Sequence, residues 1–243
     1  MTAKSQVESA WTRPQRQRRE TPALSRKQIV DEAIALLDSE GVDNLSMRRL
    51  GTRLNAGATS LYTHVANKEE LLQLVVDQVF GEVRVPEQIE AGNWRRDLTE
   101  MSRGVRDTLL RHPWMTIVMS SAGLVYLGPN IMRMSEAMLT IMEVAGFPDE
   151  AGDRASNALF SYIFGSSSGE AAMLTTVARS GMPEQEWFEQ IMATSEQLAR
   201  PYPRVHKRYV AHQGIDAASG RKDAFEQELG LFLDGLELRR RAL

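Results

Sequence analysis

The sequence predicts an all-α protein, and three observations predict it. Apolar residues recur at helical spacing along almost the whole chain, and no stretch sustains the alternation of a strand. The runs are separated by helix breakers, among them Gly41, His112-Pro113, Gly128-Pro129, Gly146-Phe147-Pro148 and Gly181-Met182-Pro183. Two runs open on capping-box signatures, Ser25 to Gln28 and Asn67 to Glu70, so their starts have a chemical cause of their own.

Composition narrows the class. With 243 residues, 42% hydrophobic and 25% charged, the chain can bury a sizeable core as one large domain or as a small one followed by a larger one. It has no cysteine, which excludes disulfides, thiolate zinc sites and cysteine nucleophiles. The N-terminal Arg residues are followed by no apolar run, so no secretory signal is expected. No uninterrupted apolar stretch approaches the ~20 residues that span a bilayer. A cytoplasmic protein with no membrane partner is expected. The net charge of −3 is unevenly spread: residues 1–68 carry 11 Lys+Arg against 7 Asp+Glu, and residues 69–243 carry 18 against 25. A basic head on an acidic body fits a nucleic-acid-binding module joined to something else.

Residues 1–24 have no hydrophobic period but hold Pro14, Pro22 and Arg13, Arg16, Arg18 and Arg19. They read as a flexible basic arm, either a solubilising tail or one that reaches phosphates or the minor groove. The first helix is expected over about residues 26–39, with Ile29, Ala33, Leu36 and Leu37 inward and Gly41 as its left-handed stop. Ser46 then caps a second helix that buries Leu50 and Leu54 and turns Arg48, Arg49 and Arg53 outward. Asn55 and Gly57 supply residues that adopt positive φ cheaply for a tight turn. A third helix buries Leu61 and Val65 and leaves Thr59, Ser60, Tyr62, Thr63 and His64 to face a partner. The helix from Asn67, with Leu71, Leu72, Val75, Val76 and Val79, closes the module. Two short amphipathic helices separated by an Asn/Gly turn are the layout of a helix-turn-helix DNA reader.

At these residues the chain resembles the tetracycline-repressor-like (TetR/AcrR) transcriptional regulators. The resemblance runs from Ile29 to Leu72. It is sharpest at Gly41-Val42, at Leu45-Ser46-Met47-Arg48-Arg49-Leu50 and in Leu61-Tyr62-Thr63-His64-Val65-Ala66-Asn67-Lys68-Glu69-Glu70-Leu71. Gly51, where the family usually has Ala, and Asn55-Ala56, in place of a Gly-Val turn, depart from it. The resemblance implies that Tyr62 and His64 contact phosphates, which fix register without reading sequence. Lys68, at a helix N-terminus, adds a charge beside exposed amides. Arg48, Thr59, Ser60 and Thr63 are the candidates for base edges, and Ser46 completes the DNA-facing set. Of these only Arg can pair bidentately with guanine, so methyl contacts and DNA shape are expected to carry part of the reading.

A pause at Pro86 and Gly92 places a boundary near residue 86, with 25–85 as reader plus connector and 86–243 as a helical domain. Expected helices there cover about Trp94–Arg111, Met115–Ala122, Gly128–Val144 and a long one to roughly Arg179 with a soft centre at Gly165–Gly169. Two more cover Pro183–Arg200 and about Arg221–Arg239. Pro201 and Pro203 punctuate a short basic segment, and residues 214–220 read as an exposed loop. By resemblance this domain binds a small-molecule effector and forms a homodimer, the long and final helices packing with their copies as a four-helix bundle.

Met115, Met119, Met134, Met138 and Met173, with Trp114, Tyr126 and Tyr162, are the candidates for a pocket, since Met suits adaptable surfaces. A methionine face on a helix is nonetheless core more often than pocket. Gly165-Ser166-Ser167-Ser168-Gly169 matches the nucleophile elbow G-x-S-x-G, but that elbow needs a strand-to-helix turn above a parallel sheet, and here the flanks are helical. His112, His206 and His212 have no zinc-site spacing. The metal-binding residues used with tetracycline find no matching motif. No cofactor, metal or catalytic residue is therefore expected. The expected function is a repressor that binds a palindromic operator as a dimer and releases it on binding a small molecule. An activator, a regulator controlled by a protein partner and, more remotely, an all-α serine enzyme are the alternatives.

Overall fold

The computed structural model describes residues 24–120 and 128–242, the side chains of Ala58 and Thr59 excepted. The basic arm up to residue 23 and Tyr126 lie outside the described residues. The helices are α1 (Arg26–Glu40), α2 (Met47–Arg53), α3 (Ala58–His64), α4 (Lys68–Phe80), α5 (Trp94–Arg111), α6 (Trp114–Ser120), α7 (Pro129–Val144), α8 (Asp149–Ser180), α9 (Glu184–Ala199), α10 (Pro203–Ala211) and α11 (Ala217–Arg241), with 3-10 turns at Val42–Asn44 and Ala91–Asn93. No strand occurs among the described residues. The chain divides into two compact units, Met1–Phe164 and Gly165–Leu243, the division falling inside α8.

Helix α1 opens as its capping box requires: the Ser25 hydroxyl accepts from the Gln28 amide, and the Gln28 side chain accepts from the Ser25 amide at 2.9 Å. Gly41 stops the helix at φ 79°, ψ 176°. The positive φ is as expected. The extended ψ is not the left-handed helical value, because the chain must leave directly for the 3-10 turn.

Helix α4 is enclosed nearly all round. Leu71, Val75, Val76 and Val79 are fully buried, and Glu70, Gln73 and Asp77 are buried among them. An amphipathic helix hides one stripe; this one hides several because α1 packs on one side and α5 and α7 on others. Each apolar side chain so enclosed contributes about 1.5–3 kcal/mol. The rings of Phe80 and Phe160 extend the contact to α8, 6.4 Å apart and tilted. The end of α1 is tied to the start of α6 by one carboxylate: Asp38 Oδ1 lies 2.7 Å from His112 Nδ1 and accepts from Trp114 Nε1 at 2.6 Å.

In the second unit, Arg221 of α11 pairs with Glu170 of α8 at 3.0 Å and with Glu184 of α9. Phe225, Leu229, Leu233 and Leu236 form the buried face of α11, while Leu231 and Leu238 stand 73% and 68% exposed. Helix α8 runs unbroken through Gly165 and Gly169 as the one long helix expected. Two other expectations are corrected here. The basic segment after Pro201 is a helix, Pro203–Ala211, for which Pro203 supplies the preset first position. Most of the expected loop 214–220 belongs to α11, which starts at Ala217 because Asp216 caps it through the Ser219 amide at 2.8 Å. Among the described residues no helix is long and apolar enough to cross a membrane.

Candidate nucleic-acid interface

The reader is built from α2, the turn and α3. Ser46 caps α2 by accepting from the Arg49 amide at 3.2 Å. Its buried contacts are Leu50 and Gly51; Leu54, expected inside, is only half-buried because α2 has already ended at Arg53. Helices α2 and α3 approach so closely that a Cβ on Gly51 would lie 3.1 Å from the Ala56 carbonyl and 3.2 Å from Leu61. The turn differs in one respect from expectation. Asn55 alone takes positive φ, at 48°, while Gly57 is extended at φ −65° and serves as the N-cap of α3. Leu61 and Val65 are fully buried, which fixes the rotation of α3.

The C-terminal end of α3 is pinned by two neighbours. Arg26 of α1 donates from Nε to the His64 carbonyl at 3.3 Å and from Nη2 to Glu70 Oε1 at 2.9 Å. Glu70 also accepts from the Ala66 amide at 2.8 Å through Oε2, and its own amide donates to the Asn67 side chain at 2.7 Å. The capping box expected at Asn67 is thus only half formed. The Glu70 carboxylate reaches one residue further back, to Ala66, with one oxygen and accepts from Arg26 with the other.

On this scaffold the expected DNA-facing side chains fall into distinct roles. Arg48 and Lys68 make no ion pair among the described residues. Arg49 and Arg53 face outward but are engaged: Arg49 pairs with Glu40, and Arg53 with Glu32 and Glu40. The Glu32 bond lifts the Arg53 guanidinium above its ordinary pKa. Both arginines brace α2 against α1, and Arg48 is left as the uncommitted guanidinium of α2. Arg48 and Tyr62, the latter 46% exposed, line one open groove of about 540 Å³ with Met47, Thr52, Asn55 and Gly57. Thr63 is exposed, its hydroxyl donating to the Ser60 carbonyl at 3.0 Å, and Ser60 is half-buried. His64 is half-buried with Nε2 enclosed and unpartnered. The Thr59 side chain lies outside the described residues.

The pocket candidates are spread. Trp114, Met115, Met134 and Met138 are buried, and Met119 and Tyr162 half-buried, in the first unit; Met173, half-buried, is in the second. The indole N–H of Trp114 is already committed to Asp38. Ser167 is fully buried in the middle of α8 with its hydroxyl unpartnered, so it has none of the exposure a nucleophile elbow provides. Among the described residues no group of three His, Cys, Asp or Glu could hold a metal. The pairing of Arg26 with Glu70 has no trace in the sequence, which marks Glu70 only as part of a capping box, since partners 44 residues apart leave no local signal.

A capped helix-turn-helix with a free guanidinium and an exposed tyrosine, joined to a larger all-helical body, defines a DNA-binding regulator. The chain belongs to the TetR family: residues 29–75 match the pattern of bacterial regulatory proteins of the tetR family, and residues 85–240 match the tetracyclin repressor-like C-terminal domain. It is 41% identical over 179 residues to an HTH-type transcriptional regulator of Saccharopolyspora erythraea, covering 70% of this chain and 74% of that one. It is 32% identical over 219 residues to the HTH-type transcriptional repressor DrrR1 of Streptomyces coeruleorubidus, covering 89% and 78%. The apo structure of ActR from Streptomyces coelicolor is similar over 92% of this chain and 99% of that one, with a TM-score of 0.75 and 29% identity. ActR has also been solved in complex with actinorhodin, where the TM-score is 0.73 at 30% identity over 89% and 98% of the two chains.

Proposed function

We propose that this chain is a repressor that binds a palindromic DNA operator as a homodimer and releases it when a small molecule binds the helical body. The observation that carries this reading is the arrangement of α2 and α3. Arg49 and Arg53 are spent on bracing, and Arg48, Tyr62, Thr63 and Lys68 remain for DNA. One such reader covers few base pairs, whereas a two-fold dimer sets two of them in major grooves roughly 34–36 Å apart and so reads an inverted repeat. Leu231 and Leu238, a heptad apart on the exposed side of α11, are the apolar surface such a dimer would cover. Residues 25–85 act as reader and connector and residues 86–243 as the effector-binding and dimerisation part. Met115, Met119, Met134, Met138, Tyr126 and Tyr162 are the residues to test as pocket lining in the first unit, Met173 as a separate candidate in the second, and Trp114 as a link to Asp38. The protein works in the cytoplasm and performs no catalytic step, Ser167 being sealed inside a helix.

Release is a matter of linkage. An effector that weakens operator binding by some factor must itself bind the DNA-free conformation more tightly by the same factor. A gel-shift on the DNA upstream of this gene, repeated with candidate effectors, tests the reading. Actinorhodin, the ligand of the ActR complex, is the first compound to try. Specific retardation that a ligand reverses is expected. Retardation that no ligand alters would instead favour control by a protein partner.

A further inference from the structure

Helix α7 has no N-cap side chain of its own, because Gly128 occupies that position. Its first turn is nevertheless satisfied. Pro129 at the first helical position brings no N–H, and the Met132 amide donates to the Gly128 carbonyl at 2.9 Å. The two amides between them, of Asn130 and Ile131, both donate to Asp77 Oδ1 at 3.0 Å, and Asn130 Nδ2 donates to Asp77 Oδ2 at 3.0 Å. Asp77 is 5% exposed and belongs to α4. The connector helix thus lends α7 the oxygen that a helix normally takes from its own N-cap, together with a negative charge at the positive end of the helix dipole.

Two neighbouring contacts tighten the same joint. A Cβ on Gly81 would lie 2.9 Å from the Gln78 carbonyl of α4 itself and 3.2 Å from the Asn130 side chain of α7, so the chain passes close to α7 at this glycine. Arg133 of α7 donates to the Val83 carbonyl at 3.2 Å. Any slide or tilt of α7 relative to α4 would leave two partly buried amides and the buried Asp77 carboxylate without their partners at once, which costs most at the carboxylate.

We propose that Asp77 is a positioning residue for operator release: by capping α7 from α4 it makes the two helices move as one, so that a displacement of α7 reaches α1–α3. The Arg26–Glu70 brace, at the other end of α4, carries the motion on to α3. This role rests on the DNA-binding reading above for its consequence, but not for its test.

The chain has no cysteine, so Thr52→Cys in α2 and Glu136→Cys in α7, both at exposed positions, give a single pair of spin labels in the full-length protein. Diluting labelled with unlabelled chain isolates the distance within one protomer, measured by pulsed electron resonance with neither DNA nor effector present. Asp77→Ala is expected to widen the distance distribution about twofold, because the joint then samples local opening. Asp77→Asn keeps an acceptor but loses the charge, and an intermediate width is expected. Thermal unfolding is followed alongside. A purely structural role would lower the Tm and leave the distribution of the folded chain as in the parent, which would overturn the proposal. Should Asp77→Ala not fold, Asp77→Asn decides alone: broadening supports the joint, and the parental distribution overturns it. Broadening in the labelled Asp77 variants, together with an unlabelled parent chain that binds no DNA, would fail the functional reading while keeping the joint.

Discussion

At the residue scale, the reader separates its basic side chains by what already holds them. Arg49 and Arg53 are tied to acidic residues of α1, so their loss should first loosen α2. Arg48 has no such tie. Arg48→Ala is expected to relax preference at one base position and to cost about 1–3 kcal/mol on the preferred site. Tyr62→Ala should weaken binding to all sequences about equally, and Lys68→Ala should also reduce the salt dependence by about one counterion. Competition binding with a set of single-base operator variants distinguishes these. A Tyr62→Ala protein that changed only its ranking of sequences would contradict the assignment of Tyr62 to the backbone. Glu70→Gln breaks a buried acceptor shared by Arg26 and Ala66, and unfolding in denaturant should show a loss of about 1–3 kcal/mol.

At the element scale, what could be read ahead of the structure was local. The Ser25 box, the Ser46 cap, the α5 span from Trp94 to Arg111 and the Gly128-Pro129 start of α7 each depend on residues within one turn of each other. The same holds for the reader, whose Leu50, Leu61 and Val65 are buried as their spacing requires. What could not be read depends on distant partners. Glu70 leaves its expected box because Arg26 stands 44 residues away, Asp77 finds its amides 53 and 54 residues on, and Asp38 meets His112 and Trp114 at 74 and 76. The start of α11 departs from expectation for a different reason: Gly214, Ser219 and Gly220 suggest a loop, but Asp216 caps the segment and makes it helical. That cap carries a pH dependence. The Ser219 amide bond holds the Asp216 carboxyl below its ordinary range, so its folded pKa lies under the unfolded one. The stabilisation is therefore present above the ordinary carboxylate pKa and disappears as pH falls through the lower, folded value. Exchange protection of the Ser219 amide should drop in acid, and Asp216→Asn, which caps without titrating, should show no such drop.

For the whole molecule, the account joins three functions in one chain: a reader held by α1 and α4, a helical body, and a surface for a second copy. Leu238→Glu places a charge on the exposed heptad face of α11. Sedimentation should then report a shift toward monomer, and operator binding should weaken with it, since two half-sites are no longer read by linked readers. A variant that remained dimeric and bound DNA unchanged would remove α11 from the proposed interface. The central claim is that the Arg48–Tyr62 face reads an inverted repeat and yields it to a small molecule. Its most direct measurement is the equilibrium binding of full-length protein to labelled upstream duplex, titrated with unlabelled duplex in which one half-site is scrambled, with and without effector. The account predicts tight binding that the scrambled competitor displaces poorly and that effector weakens about 5–150-fold. Equal displacement by intact and scrambled duplex would contradict it.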